Sequence, residues 1–173
     1  MSTPTDGPKN EVALSSPERL NHTHDLSNFD CGEVSINEYL HDKARQAQEK
    51  KHAIVYVSCF SGTNKVAAYY TLSGGSVDRS HVVPKKHQRN SPSNHPVTIL
   101  GRMGITLEAQ GQGYATDLLQ DAITRCISAS EVVASSAVIV HPLNEDLAGF
   151  YERKAGFKPC PDLSPLTMML PLL

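Results

Sequence analysis

The chain has 173 residues, a net charge of −2, four cysteines and no tryptophan, which suits one domain with a sizeable core and excludes a globally basic nucleic-acid binder. No apolar run approaches the roughly 18 residues of a membrane helix, and Met1-Ser2-Thr3-Pro4-Thr5-Asp6-Gly7-Pro8 lacks a signal-peptide core, so the expected location is the cytoplasm, away from any membrane. Cys31, Cys59, Cys126 and Cys160 form no C-x-x-C pair and read as buried free thiols, and no metal site is expected.

Residues 1–10, rich in Pro, Ser, Thr and charge, read as a flexible leader, leaving 11–173 as a single domain. Val12-Ala13-Leu14 suggests a first strand, and Ser16-Pro17-Glu18 a short helical turn. Ser35-Ile36-Asn37-Glu38 has the S-x-x-E form of a capping box. The helix behind it carries Ile36, Tyr39, Leu40, Ala44 and Ala47 on one face, and Lys43, Arg45, Lys50 and Lys51 as its cations. Residues 53–59 and 66–72 read as strands joined by the hairpin turn Ser61-Gly62-Thr63-Asn64. Their apolar pattern is nearly continuous, as in strands covered on both faces. Ser80 to His95 is the least regular interior stretch. It holds Lys85, Lys86, Arg89, three histidines and no acid, so it is either a solvated loop or a contact surface for nucleic-acid phosphates. Irregular spacing and interrupting prolines weigh against metal binding by its histidines.

A strand at 97–105, a glycine-rich turn and an amphipathic helix at about 113–128 follow one another directly. Leu118, Leu119, Ala122, Ile123 and Cys126 form the core face of that helix. Free amides and the positive end of a helix dipole meet at the turn, where Gly111 and Gly113 permit close backbone approach. The segment lacks both G-x-G-x-x-G and G-K-[ST]. A connector at 131–136 leads to a β-branched strand at 137–141. The helix after it has Asn144 as N-cap, acids in its first turn, cations in its last and Gly156 at its stop. Residues 157–159 and 166–170 read as closing strands.

Gln110, Gly113 and Ala115 spell Q-x-x-G-x-A, and Asn144, Ala148, Tyr151, Gly156 and Phe157 spell N-x-x-x-A-x-x-Y-x-x-x-x-G-F. In this order the two motifs resemble those of the GNAT family of N-acetyltransferases. The resemblance implies an α+β, three-layer fold. Its mixed, mostly antiparallel sheet has six to seven strands flanked by helices and is splayed between the central strand and the next one. It implies acetyl-CoA as co-substrate. Backbone groups near Met103, Gly104 and Ile105 would hold the pantetheine arm, with Gly104 marking a bulge. Gln110, Gly111, Gln112, Gly113, Tyr114 and Ala115 would hold the pyrophosphate, and Asn144 would add a contact. Tyr151 would be the acid that protonates the leaving thiolate. Arg102, a charge within a buried strand, is either a structural ion pair or a substrate contact. No carboxylate or histidine stands out as a base. His141 reads as structural, and an aminoacyl α-amine is largely neutral at cellular pH without help.

A closer resemblance runs through Phe29-Asp30-Cys31, Glu38-Tyr39-Leu40, residues 66–72, Gly75-Ser76-Val77, Arg89-Asn90-Ser91-Pro92, residues 97–102 and 161–170. These look like the toxin branch of bacterial type II toxin–antitoxin systems. That branch acetylates the α-amine of aminoacyl-tRNA and so blocks translation. The resemblance implies a homodimer, a ribbon-helix-helix antitoxin through which alone DNA is reached, and tRNA contacts at Lys85, Lys86, Arg89 and Arg102. Lys85-Lys86-His87-Gln88 replaces the adjacent arginines of relatives, and Gly101 and Gly104 stand where bulkier residues are usual. The alternatives are an acetyltransferase for a small amine or protein N-terminus, which would not arrest growth, and a coenzyme-sensing module without catalysis. Tyr151 in its motif argues against the last.

Overall fold

A computed structural model describes residues 11–172, so the expected leader lies outside the described residues. In chain order the elements are β1 (Glu18–Arg19), α1 (Val34–Glu38), a π-helical turn (Tyr39–Lys43), α2 (Ala44–Glu49), β2 (Ile54–Cys59), β3 (Val66–Asp78), β4 (Asn94–Ile105), α3 (Tyr114–Ser130), β5 (Ala137–Val140), α4 (Glu145–Ala155), β6 (Lys158–Pro159) and β7 (Met168–Pro171). The strands form one sheet in the order β1-β2-β3-β4-β5-β7-β6, antiparallel throughout except between β4 and β5.

The Val66–Leu72 half of β3 is buried on both faces, as its unbroken apolar run requires. Tyr70, Leu100, Val138, Val140 and Met168 face α3 and α4 in one cluster with Leu118, Leu119, Ala122 and Phe157. On the opposite face, Val55, Val57 and Tyr69 pack under the first helical segment with Ile36, Tyr39, Leu40 and Ala44. Beside that cluster Val97, Ile139 and Met169 are covered by Val82 and Cys160. A polar tie joins the layers on the α3 side. The Tyr70 hydroxyl and Arg125 Nε (2.9 Å) both donate to Asp121 Oδ2, and the Arg125 guanidinium lies 4.2 Å from the Tyr56 ring centroid.

Five local expectations are corrected. The first strand is Glu18–Arg19, and Leu14 makes only an isolated bridge to Phe60. The edge of β2 selects the residues that pair with it, and no helical turn forms at Ser16–Glu18. The Ser35–Glu38 capping box is absent: α1 starts at Val34, with Glu33 as a cap that gives no side-chain bond. Asn37 instead donates to Asp30 Oδ1 and accepts from the Cys31 amide, both at 2.9 Å, so the turn before the helix is closed from inside it. β4 begins at Asn94, which draws His95 out of the basic loop and buries it beside Ser91 and Ser136. Finally, the bulge falls at Gly101–Arg102 rather than Gly104. Tyr70 pairs with Met103 and Leu72 with Leu100, leaving one extra residue in β4. Thr71 Oγ1 accepts the Arg102 amide there at 3.0 Å, and a Cβ on Gly101 would stand 2.6 Å from the same oxygen.

Candidate active site

Parallel pairing of β4 with β5 stops at Leu100 and Val140, while β4 runs on to Ile105. Beyond that point the β4 edge that faced β5 has no strand partner among the described residues, and a cleft of about 1230 Å³ opens through the sheet. Met103, Gly104 and Ile105 form one wall. Gln110, Gly111, Gly113, Tyr114, Ala115 and Thr116 close one end, and Leu147, Phe150, Tyr151 and Lys154 of α4 form the facing wall. On the other face of the sheet the lining is Tyr39, Lys43, Thr71, Ser73, Ile99 and Arg102, with Lys50 and His52 further out and His141 at the end of β5.

Each wall follows from local chemistry. Gly111 and Gly113 sit at φ +76° and +86°, a left-handed backbone that glycine adopts without strain, and Gly113 caps the 17-residue α3. The first amides of α3 therefore point into the cleft at the positive end of the helix dipole. Gln110 Nε2 donates to the carbonyls of Cys31 (2.9 Å) and Ile105 (2.8 Å), which pins the loop to the end of β4. Gln112 does not line the cleft. Its Oε1 accepts the Val12 amide at 2.9 Å, and the Tyr114 hydroxyl donates to the Val12 carbonyl, so the N-terminal segment is clasped to the outside of the loop. Gly104 is needed because a Cβ would meet Ile36 Cγ2 at 2.6 Å and Phe29 Cζ at 3.1 Å.

Tyr151 is wedged edge-on between Phe150 (5.4 Å) and Phe157 (5.5 Å). Burial pushes its phenol up to about 12, and its hydroxyl has no hydrogen-bond partner among the described residues. It is thus held as a protonated donor aimed at the cleft. Asn144 Oδ1 accepts the Leu147 amide at 2.9 Å, so its side chain caps α4 and does not line the cleft. Arg102 has no ion pair among the described residues. Its guanidinium lies 4.1 Å from the Tyr39 ring centroid, and the ring stacks on Tyr69 at 6.4 Å. Burial raises the Tyr39 phenol while the Arg102 charge opposes the rise. The π-helical turn, often found at functional sites, presents Tyr39 and Lys43 to the same cleft.

Lys85, Lys86 and Arg89 are exposed on the covering segment between β3 and β4 and do not reach the cleft. Among the alternative cations, Lys43 and Lys50 line it, whereas Arg45 is spent on the carbonyls of Asn21 (2.7 Å) and His24 (2.6 Å). Lys154 escaped notice in the sequence, although it lies one turn beyond Tyr151 on the same helix. The described lining carries Lys43, Lys50, Arg102 and Lys154 and no carboxylate, in a chain whose net charge is −2. Among the described residues no group of three or more His, Cys, Asp or Glu is placed to hold a metal ion, and no helix is long and apolar enough to cross a membrane.

A sheet opened beside its central strand, with an anion-receiving helix start and cationic walls, defines a protein that binds a phosphorylated ligand in the splay. The chain belongs to the acetyltransferase (GNAT) family, whose model matches residues 22–157. It is 33% identical over 137 residues to a tRNA-acetylating toxin of Mycobacterium tuberculosis (strain ATCC 25618 / H37Rv), covering 79% of this chain and 81% of that protein. AtaT complexed with acetyl-methionyl-tRNAfMet superposes with a TM-score of 0.84 at 31% identity, over 92% of this chain and 95% of that one. A tyrosine-to-phenylalanine mutant of KacT has the same TM-score at 28% identity, with the same coverage. A tyrosine-to-phenylalanine mutant of AtaT has also been solved with the C-terminus of the antitoxin AtaR and acetyl-CoA (TM-score 0.77, 29% identity, 92% of this chain and 93% of that one).

Proposed function

We propose that this protein is a toxin that transfers the acetyl group of acetyl-CoA to the α-amine of aminoacyl-tRNA and thereby stops translation. The observation that carries the reading is the charge of the cleft. Lys43, Lys50, Arg102 and Lys154, without a carboxylate, suit a polyanion on both sides of the splay: a coenzyme pyrophosphate and the phosphates of a tRNA end. The acetylating activity against tRNA of the Mycobacterium tuberculosis relative and the tRNA bound to AtaT support the same acceptor.

In this reading the amides from Gly111 to Ala115 receive the pyrophosphate, and the free edge of β4 at Met103–Ile105 aligns the pantetheine arm and polarises the thioester carbonyl. Gln112 and Asn144 act indirectly, by fixing the loop and α4. The Tyr151 hydroxyl donates its proton to the departing thiolate. The protein works as a cytoplasmic homodimer neutralised by an antitoxin of the ribbon-helix-helix type, through which it is brought to DNA. The complexes of AtaT with the antitoxin AtaR and of KacTA with DNA support an antitoxin partner and an association with DNA.

The test is incubation with charged total tRNA and acetyl-CoA, followed by mass spectrometry of the released amino acids. N-acetylated residues are expected, together with growth arrest on induced expression. Acetylation of small amines alone, without arrest, would replace the tRNA acceptor with a small one.

A further inference from the structure

Acyl transfer to an amine needs a place for the proton that leaves the nitrogen, and the described cleft lining contains no carboxylate to take it. Two histidines remain, His52 and His141. His52 lies beyond the end of α2, whereas His141 directly follows Val140, where β5 parts from β4. His141 Nδ1 is 3.1 Å from Thr167 Oγ1, and that hydroxyl already donates to the Pro165 carbonyl at 2.8 Å. With its hydrogen committed, Thr167 Oγ1 accepts from His141. Nδ1 is therefore the donor nitrogen, and in the neutral imidazole Nε2 keeps its lone pair.

The register shows which way the ring approaches. Val140 pairs with Met168 and both face the α3–α4 cluster, while Ile139 pairs with Met169 on the opposite face. Alternation places His141 and Thr167 with Ile139 and Met169, on the face occupied by Tyr39, whereas Tyr151 packs against the α3–α4 cluster. His141 and the protonated Tyr151 thus meet the splay from its two faces.

We propose that His141 is the general base of acetyl transfer, with Thr167 as its positioning residue; this rests on the acetyl-transfer reading above. The neutral amine nitrogen forms a bond to the thioester carbon, and His141 Nε2 takes one proton from that nitrogen. As the C–S bond breaks, its electron pair stays on sulfur, which takes the Tyr151 proton. The proton on the imidazolium then returns through solvent to the tyrosinate, so both side chains are restored and the products are the amide and the free thiol.

The test uses the full chain and its His141→Ala, His141→Gln and Thr167→Val variants, with charged tRNA and, separately, glycine methyl ester as acceptors. Removing His141 should lower turnover on the order of 10²–10⁴-fold. Coenzyme A affinity measured by calorimetry should stay unchanged. Added imidazole should restore His141→Ala in part but leave His141→Gln, Tyr151→Phe and wild type unaffected. Thr167→Val should lower kcat by less, at constant coenzyme KM. Turnover of His141→Ala near the wild-type rate overturns the proposal, and so does a loss that imidazole does not relieve and that is shared with weakened coenzyme binding. Failure of wild type on charged tRNA, with activity on the ester, would refute only the tRNA acceptor and leave His141 to be judged on the ester.

Discussion

Tyr151 is half-buried between two aromatic rings, its hydroxyl has no hydrogen-bond partner among the described residues, and burial pushes its phenol up to about 12. A group so placed keeps its proton at neutral pH and has it to give, which is what a departing thiolate requires. Tyr151→Phe keeps the ring and its packing. It should bind coenzyme A as wild type does in calorimetry while losing on the order of 10²–10⁴ in turnover. Near-normal turnover would remove the hydroxyl from the reaction. Gly104 poses the opposite problem, a missing atom rather than a present one. A Cβ there would stand 2.6 Å from Ile36 Cγ2 and 3.1 Å from Phe29 Cζ, in a fully packed cluster. Gly104→Ala should therefore cost about 1–3 kcal/mol in denaturant melts through overpacking. An unchanged midpoint would mean that α1 moves away from β4 at no cost.

Among the elements, α4 shows how far a site depends on its frame. Asn144 closes the first turn through Leu147, and Gly156 ends the helix at φ +79°. Tyr151 stands two turns from the cap, which fixes its direction. Asn144→Ala should destabilise the fold by about 0.5–2 kcal/mol. Coenzyme affinity should stay near wild type, because the amide does not line the cleft. A tenfold weaker coenzyme in a folded variant would instead make Asn144 a direct contact. The same helix marks what was legible in the sequence. Its cap, its charged ends and its glycine stop are set by neighbours within one turn. The glycine loop and α3 were legible for the same reason. The errors share a different cause. Glu18–Arg19 is a strand because β2 offers an edge to it, and the Gly101–Arg102 bulge exists because β3 and β4 pair in a staggered register. The Ser35 box lost to Asp30, seven residues before Asn37. In each case the deciding partner was a contact that local patterning does not name. The Tyr39–Arg102 stack and the His141–Thr167 bond likewise join residues far apart in the chain.

For the whole molecule, the question is where cations stand in a chain of net charge −2. One set lines the cleft, and a second, Lys85, Lys86 and Arg89, lies exposed on the segment that covers Val97 and Ile139. That cover lies on the same face of the sheet as Tyr39 and the first helical segment, so a tRNA whose 3′ end enters the cleft from this face can lay its phosphates along it. Each phosphate contact contributes roughly 0.7–0.9 to the slope of log affinity against log salt. A Lys85/Lys86/Arg89→Ala triple variant should therefore bind charged tRNA more weakly and flatten that slope by roughly 2. Coenzyme affinity and acetylation of glycine methyl ester should hold, since none of the three lines the cleft. Lys43→Ala with Lys50→Ala should also flatten the tRNA slope, here at the lip of the cleft itself. The measurement is a filter-binding series at several salt concentrations with one charged tRNA. If the triple variant keeps the wild-type slope while the Lys43/Lys50 variant loses it, the covering segment is only a solvated connector. The phosphate path would then run along the first helical segment.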